Sequence, residues 1–164
     1  MAPRTLVACL GNIFLSDDGF GVEVARRLAR QDLPAGVRVT DYGIRGMHLA
    51  YDLLDDWDAL VLVDAVPSRG APGTVHVFEA NHETFMVSAG LDAHSMDPAA
   101  VFASLAALGG KPPTTVVVGC EVDNVDEGIG LSDAVAAAVP RAVQAVEDVV
   151  ADLLSRFETS AQEG

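Results

Sequence analysis

Lysine is almost missing from this chain, cysteine is rare, and no apolar run approaches the length of a membrane span. Each scarcity removes a class of function. Lys111 is the single lysine, and the 10 basic residues are outnumbered by 24 acidic ones, for a net charge of −14. With no basic stripe to neutralise phosphates, nucleic acid is excluded as a partner, and so are anionic membrane surfaces. The charge suits metal cations or a basic protein partner, and otherwise keeps the surface soluble. The lack of a long apolar run excludes a transmembrane helix. Met1–Arg4 lead straight into an apolar stretch that Asn12, Asp17 and Asp18 soon follow. That pattern predicts no signal peptide.

The two cysteines, Cys9 and Cys120, each fall within or at the end of an apolar run. They are read as reduced core thiols, not as a disulfide or a metal pair, and a reducing cytoplasm is expected. Familiar catalytic motifs are missing as well. Gly11, Gly19 and Gly21 do not keep the spacing of the dinucleotide fingerprint, and no Walker lysine or His-Glu-x-x-His is present. Ser88 and Ser95 lack a nucleophile-elbow context, and neither cysteine has the electropositive surroundings that activate a thiol.

What is present is a globular composition. Half of the residues are hydrophobic, clustered in short runs between Gly, Pro and Asp. At 164 residues the chain is read as a single domain over 1–157, with a frayed tail over 158–164. Thr5–Leu10, Val37–Tyr42, Ala59–Val63, Thr74–Phe78 and Thr114–Val118 read as strands. Helical spacing covers Gly21–Arg30 and Met47–Leu54, and Asp97-Pro98 opens a helix that runs to Leu108. A last helical region begins at a Ser132 cap and runs to about Phe157, with Pro140 marking a kink or restart. Asn81 to His94 reads as a long loop of the kind that is often functional.

Strands separated by helices imply an α/β fold, a mostly parallel sheet with helices on both faces. Thr74–Phe78 follows the third strand too closely for a helical crossover, so it is expected as an antiparallel edge.

In such a sheet, ligands bind in the crevice beyond the carboxyl ends of the strands. Asp18 and Asp64 follow predicted strands, and His94 sits in the loop before a helix. Asp17-Asp18 suits helix capping, but one acid is enough for that. Asp64, at the exit of a buried strand, needs a metal, an arginine or several backbone donors to offset its burial. For His94, an ordinary loop histidine and a metal ligand are equally open readings. His48, His76 and His82 are first read as ordinary histidines. Two carboxylates and one imidazole suit Zn, Ni, Mn or Fe and leave coordination positions for water or substrate.

Together these residues resemble the hydrogenase maturation endopeptidases, which trim a carboxyl-terminal extension from the large subunit of nickel-iron hydrogenase. The resemblance runs in order through Gly11-Asn12-Ile13…Asp17-Asp18-Gly19-Phe20-Gly21-Val22, Asp41-Tyr42-Gly43-Ile44-Arg45-Gly46-Met47 and Val63-Asp64-Ala65-Val66. It continues through Ala71-Pro72-Gly73-Thr74, Asp92-Ala93-His94, Val118-Gly119-Cys120-Glu121 and Gly128-Ile129-Gly130-Leu131-Ser132. It implies a single three-layer domain with a twisted five-stranded sheet. It also implies that Asp18, Asp64 and His94 engage nickel already installed in the precursor, with no permanently bound cofactor. Asp41 matches an acidic position tied to activity, and Gly43 and Gly46 match a substrate-binding segment. Tyr42-Gly43-Ile44-Arg45 departs from the Gly-Gly-Thr of some members, which leaves the cognate hydrogenase class open.

Two other readings use the same acids. A receiver domain would place a phosphoacceptor at Asp64, but it needs a lysine after the fifth strand where Cys120-Glu121 stands. A nickel-binding chaperone without catalysis would use the same three ligands.

Overall fold

A computed structural model describes residues 3–80 and 98–163. Its five strands are β1 (Thr5–Leu10), β2 (Val37–Gly43), β3 (Ala59–Val66), β4 (Val75–Glu79) and β5 (Thr114–Glu121). They form one sheet in the order β2-β1-β3-β5-β4. All neighbours are parallel except β4, which runs antiparallel to β5 along the edge. The expected mostly parallel sheet with one antiparallel edge strand is the one observed.

Burial explains the hydropathy pattern. Every residue of β1 and the first six of β3 are buried, as uninterrupted apolar runs require when both faces are covered. On one face, α1 (Phe20–Leu28) and α4 (Asp133–Glu163) pack on Val7, Cys9, Val61, Val63, Val118 and Cys120. On the other, α2 (Gly46–Asp52) and α3 (Pro98–Ala107) cover Leu6, Ala8, Leu10, Leu60, Leu62 and Val117. The three layers thus hold one apolar cluster on each side of the sheet.

The structure departs from the sequence expectations at several boundaries. β3 and β5 run on to Val66 and Glu121, because Asp64 pairs with Gly119, Ala65 with Cys120 and Val66 with Glu121. Asp64 therefore lies inside its strand and not just beyond it. α4 is one helix through Pro140 to Glu163, with neither a restart nor an end near Phe157. Val139, Val143, Val146, Val150 and Leu153 all pack into the core on both sides of the proline. Tertiary burial of that stripe outweighs the backbone hydrogen bond that Pro140 cannot donate. Ser132 caps this helix as expected, its Oγ accepting a hydrogen bond from the Val135 N–H at 3.4 Å. The loop from Asn81 and the Asp97 cap lie outside the described residues.

Candidate active site

From β1 the chain crosses through α1 to β2 on one side, whereas β3 lies on the other side of β1. Where neighbouring strands send their connections in opposite directions, a crevice opens at their carboxyl ends. Gly21 closes the bottom of it. A Cβ on Gly21 would lie 2.2 Å from the Leu10 carbonyl oxygen and 2.8 Å from that of Val63. The start of α1 is therefore pressed onto the ends of β1 and β3, and only glycine allows that approach.

Asp18 sits three residues before this contact, in a 3-10 turn (Ser16–Gly19) that packs against β3. Asp64 follows Val63 directly. Both acids thus lie on elements that border the carboxyl ends of β1 and β3. Asp18 is half-buried, and its Oδ2 accepts the Asn12 N–H at 2.9 Å. Asp64 is only 9% exposed. Their charges reach inward unequally: burial first, then the Asp41 and Asp64 carboxylates, push the Cys9 thiol far above its usual range.

A family model for hydrogenase maturation proteases matches residues 22–149, most of the chain. The chain belongs to that family. The hydrogenase 2 maturation protease of Escherichia coli is 31% identical over 87% of this chain and 88% of its own length. The solved structure of the hydrogenase-maturating endopeptidase HybD from E. coli superposes with a TM-score of 0.79, covering 91% of this chain and 93% of that one at 28% identity. The nickel-iron hydrogenase maturation protease HybD from Thermococcus kodakarensis gives 0.71 at 29% identity, covering 90% and 99%. This member of the family is accordingly a peptidase with a hydrogenase maturation function.

In this protease Asp41 lies two residues before the end of β2, paired with Cys9 across the β1–β2 ladder. It is exposed, and its Oδ1 accepts the Gly43 N–H at 2.9 Å. The Gly43 carbonyl in turn accepts the Gly11 N–H at 3.0 Å, tying the Asp41 turn to the end of β1. Arg45 folds back so that its guanidinium donates to the Asp41 and Tyr42 carbonyls, at 3.3 and 3.4 Å. Gly46 is buried at the start of α2. His94 lies outside the described residues, and among those described no three His, Cys, Asp or Glu side chains gather to hold a metal.

Asp17 has a different role from the capping expected of the acidic pair. No side chain caps the 3-10 turn or α1. The Asp17 carboxylate instead accepts the backbone N–H groups of Asp123, Asn124 and Ser132, at 2.9, 2.9 and 2.7 Å, and the Ser132 hydroxyl at 2.9 Å. Burial raises its pKa, but these four donors outweigh burial and hold the carboxyl below its ordinary value. Asp17 therefore fastens the β5–α4 loop to the turn that carries Asp18.

Glu121 is a second buried acid of this kind. It accepts the Arg69 and Ala71 N–H groups at 2.7 and 3.3 Å and pairs with His76 Nε2 at 2.7 Å. The His76 bond chiefly, and then the Arg69 amide, keep its carboxyl below the usual range. His48 is exposed on α2 with no such partner. Both cysteines are free and buried, as expected of core thiols, and burial pushes Cys120 up to about 11.

Proposed function

We propose that this peptidase removes a carboxyl-terminal extension from the large-subunit precursor of a nickel-iron hydrogenase, after nickel has been inserted into that precursor. What supports the reading is membership of this family together with two acids, Asp18 and Asp64, on elements that border the carboxyl ends of β1 and β3. In this reading Asp18, Asp64 and His94 engage the nickel that the substrate brings, and the enzyme needs no resident cofactor. Only a loaded precursor then docks with its scissile bond on the rim, and such positioning can supply much of a rate enhancement.

Asp41 is the group we assign to proton transfer. Its Oδ1 is committed to the Gly43 amide, which fixes the carboxylate, while Oδ2 accepts no hydrogen bond from the described residues. It would take a proton from the attacking water as the peptide C–N bond gives way, and return one to the leaving amine. Gly43 and Gly46 follow this acid, and in this reading they belong to the segment that receives the substrate. No described helix is long and apolar enough to cross a membrane, which fits action on a precursor in the cytoplasm.

The test mixes the purified protein with its precursor, nickel-loaded or nickel-free, and follows intact mass. Loss of a short carboxyl-terminal peptide from the loaded form alone is the expected result. Cleavage of neither form, with a verified cognate precursor, would overturn the reading.

A further inference from the structure

A cavity of about 430 Å³ opens on the α2–α3 face toward the β5–β4 edge of the sheet, lined among the described residues by Val66, Pro67, Arg69, His76, Phe78 and Glu121. Its volume falls in the range of about 300–1,000 Å³ typical of ligand pockets. The register of the sheet explains its position. Asp64 pairs with Gly119, and Gly119 pairs with His76, so the three form one row across β3, β5 and β4 with their side-chain positions on a common face. Gly119 supplies no side chain to the middle of that row, and Val66 packs over it. A Cβ there would lie 2.7 Å from Val66 Cγ1, so the trough floor is already in contact with its wall. From Asp64 to His76 the row spans about 10 Å, the reach of about three extended residues.

The polar groups around this trough are arranged by a single buried acid. Glu121 accepts the Arg69 and Ala71 amides through Oε1 and the His76 ring through Oε2. Its oxygens are thereby occupied, and the turn bearing Arg69 and the imidazole are both fixed in place. With Nε2–H donated to Glu121, a neutral His76 ring keeps Nδ1 as an acceptor. Among the described residues, no carboxylate or other side chain pairs with the Arg69 guanidinium. Val66, Pro67 and Phe78 supply apolar walls, and Phe78 remains 43% exposed.

We propose that this trough is the subsite for the precursor residues immediately beyond the scissile bond, and that Arg69 recognises a carboxylate on that segment. The inference rests on the proposed function above. The cavity lies across Gly119 from Asp64 in that row, next to where the proposed function places the scissile bond, and its volume suits a short peptide. The Arg69 cation, the His76 ring and the apolar walls match a peptide carrying one acidic group. That group is either an acidic side chain among the first residues of the extension or the terminal carboxylate of a short one.

The experiment measures kcat and KM on nickel-loaded precursor for the wild type, Arg69→Glu and Phe78→Asp, with unfolding midpoints to verify the fold. Both substitutions are at exposed or half-exposed positions. Arg69→Glu is expected to raise KM tenfold or more with kcat within twofold. A precursor whose acidic residue near the cut is changed to Lys should restore that KM. Synthetic extension peptides serve as inhibitors in three forms: native, carboxyl-terminally amidated, and with acidic side chains changed to their amides. The form that stops inhibiting the wild type identifies the carboxylate. If the wild type cuts the precursor but KM is unchanged in both variants, or the native peptide inhibits wild type and Arg69→Glu equally, the subsite is wrong. If the wild type does not cut at all, the proposed function falls and the subsite with it.

Discussion

Acidic side chains line two stretches of the carboxyl-end rim, and they are held differently in each. Toward β5, Asp17 and Glu121 are buried and surrounded by donors, mostly backbone amides from loops far away in sequence. Toward the β1–β3 crevice, Asp18 and Asp41 each accept one amide on one oxygen, and both are more accessible. The contrast is sharpest between the neighbours Asp17 and Asp18, which have the same chemistry and diverge only in what surrounds them. An acid whose oxygens are all taken by backbone donors organises the chain. An acid with an oxygen to spare can act on something else.

That distinction can be broken by substitution. The largest effect is expected from Asp18→Asn or Asp64→Asn, each lowering cleavage of loaded precursor at least about 100-fold through loss of positioning, with the unfolding midpoint nearly unchanged. Full activity in both variants would move these acids into the structural group. Gly21→Ala should come next. Its methyl would overlap the Leu10 and Val63 carbonyls, and calorimetry should show a loss of about 3 kcal/mol as α1 is forced off the crevice.

Asp17→Asn is expected to cost about 2 kcal/mol near neutral pH, because the amide group turns a donor toward donors. The pH dependence has a definite sign. The folded-state carboxyl lies below its ordinary value, so its contribution is complete above the ordinary carboxylate range and lost as pH falls through the lowered value. Denaturant unfolding should therefore show the gap between wild type and Asp17→Asn narrowing in acid. A constant gap would mean that the Asp17 charge is not what holds the loop. The smallest effect is a null one: native Cys9 and Cys120 should resist iodoacetamide at about pH 8, since both thiols stay protonated, and react only after unfolding.

Much of this was legible in the sequence, for reasons that also mark where reading stopped. The buried runs of β1, β3 and β5 announce themselves because both faces are covered, and the short link before β4 forces an antiparallel edge. Asp18 and Asp64 stand out in the sequence because an acid that follows an apolar run has few ordinary explanations. The ends of β3 and β5 could not be found, since Asp64, Gly119 and Glu121 carry no strand signature and join the ladder only through each other. The role of Asp17 was hidden for a similar reason. Its donors are 106 to 115 residues away, and no local pattern encodes them. In the sequence Glu121 reads as part of the family resemblance and as an unsuitable substitute for a lysine, and His76 reads as an ordinary histidine. Nor does local propensity predict a helix that continues through Pro140, because the apolar stripe on either side of it decides the matter.

The connection between β3 and β4 works as a ruler. Its length, together with the paired hydrogen bonds between Gly73 N–H and the Glu121 carbonyl at 2.9 Å and between Glu121 N–H and the Thr74 carbonyl at 3.0 Å, sets which residues of β4 face which side. Side chains alternate along a strand, so inserting or deleting one residue here would turn His76 and Phe78 to the opposite face and bring Val75 and Val77 round in their place. Homologues that differ in the length of this one connection would therefore present a differently lined floor next to an unaltered crevice. Substrate preference could drift along this edge of the sheet while the acids at its centre stay where they are.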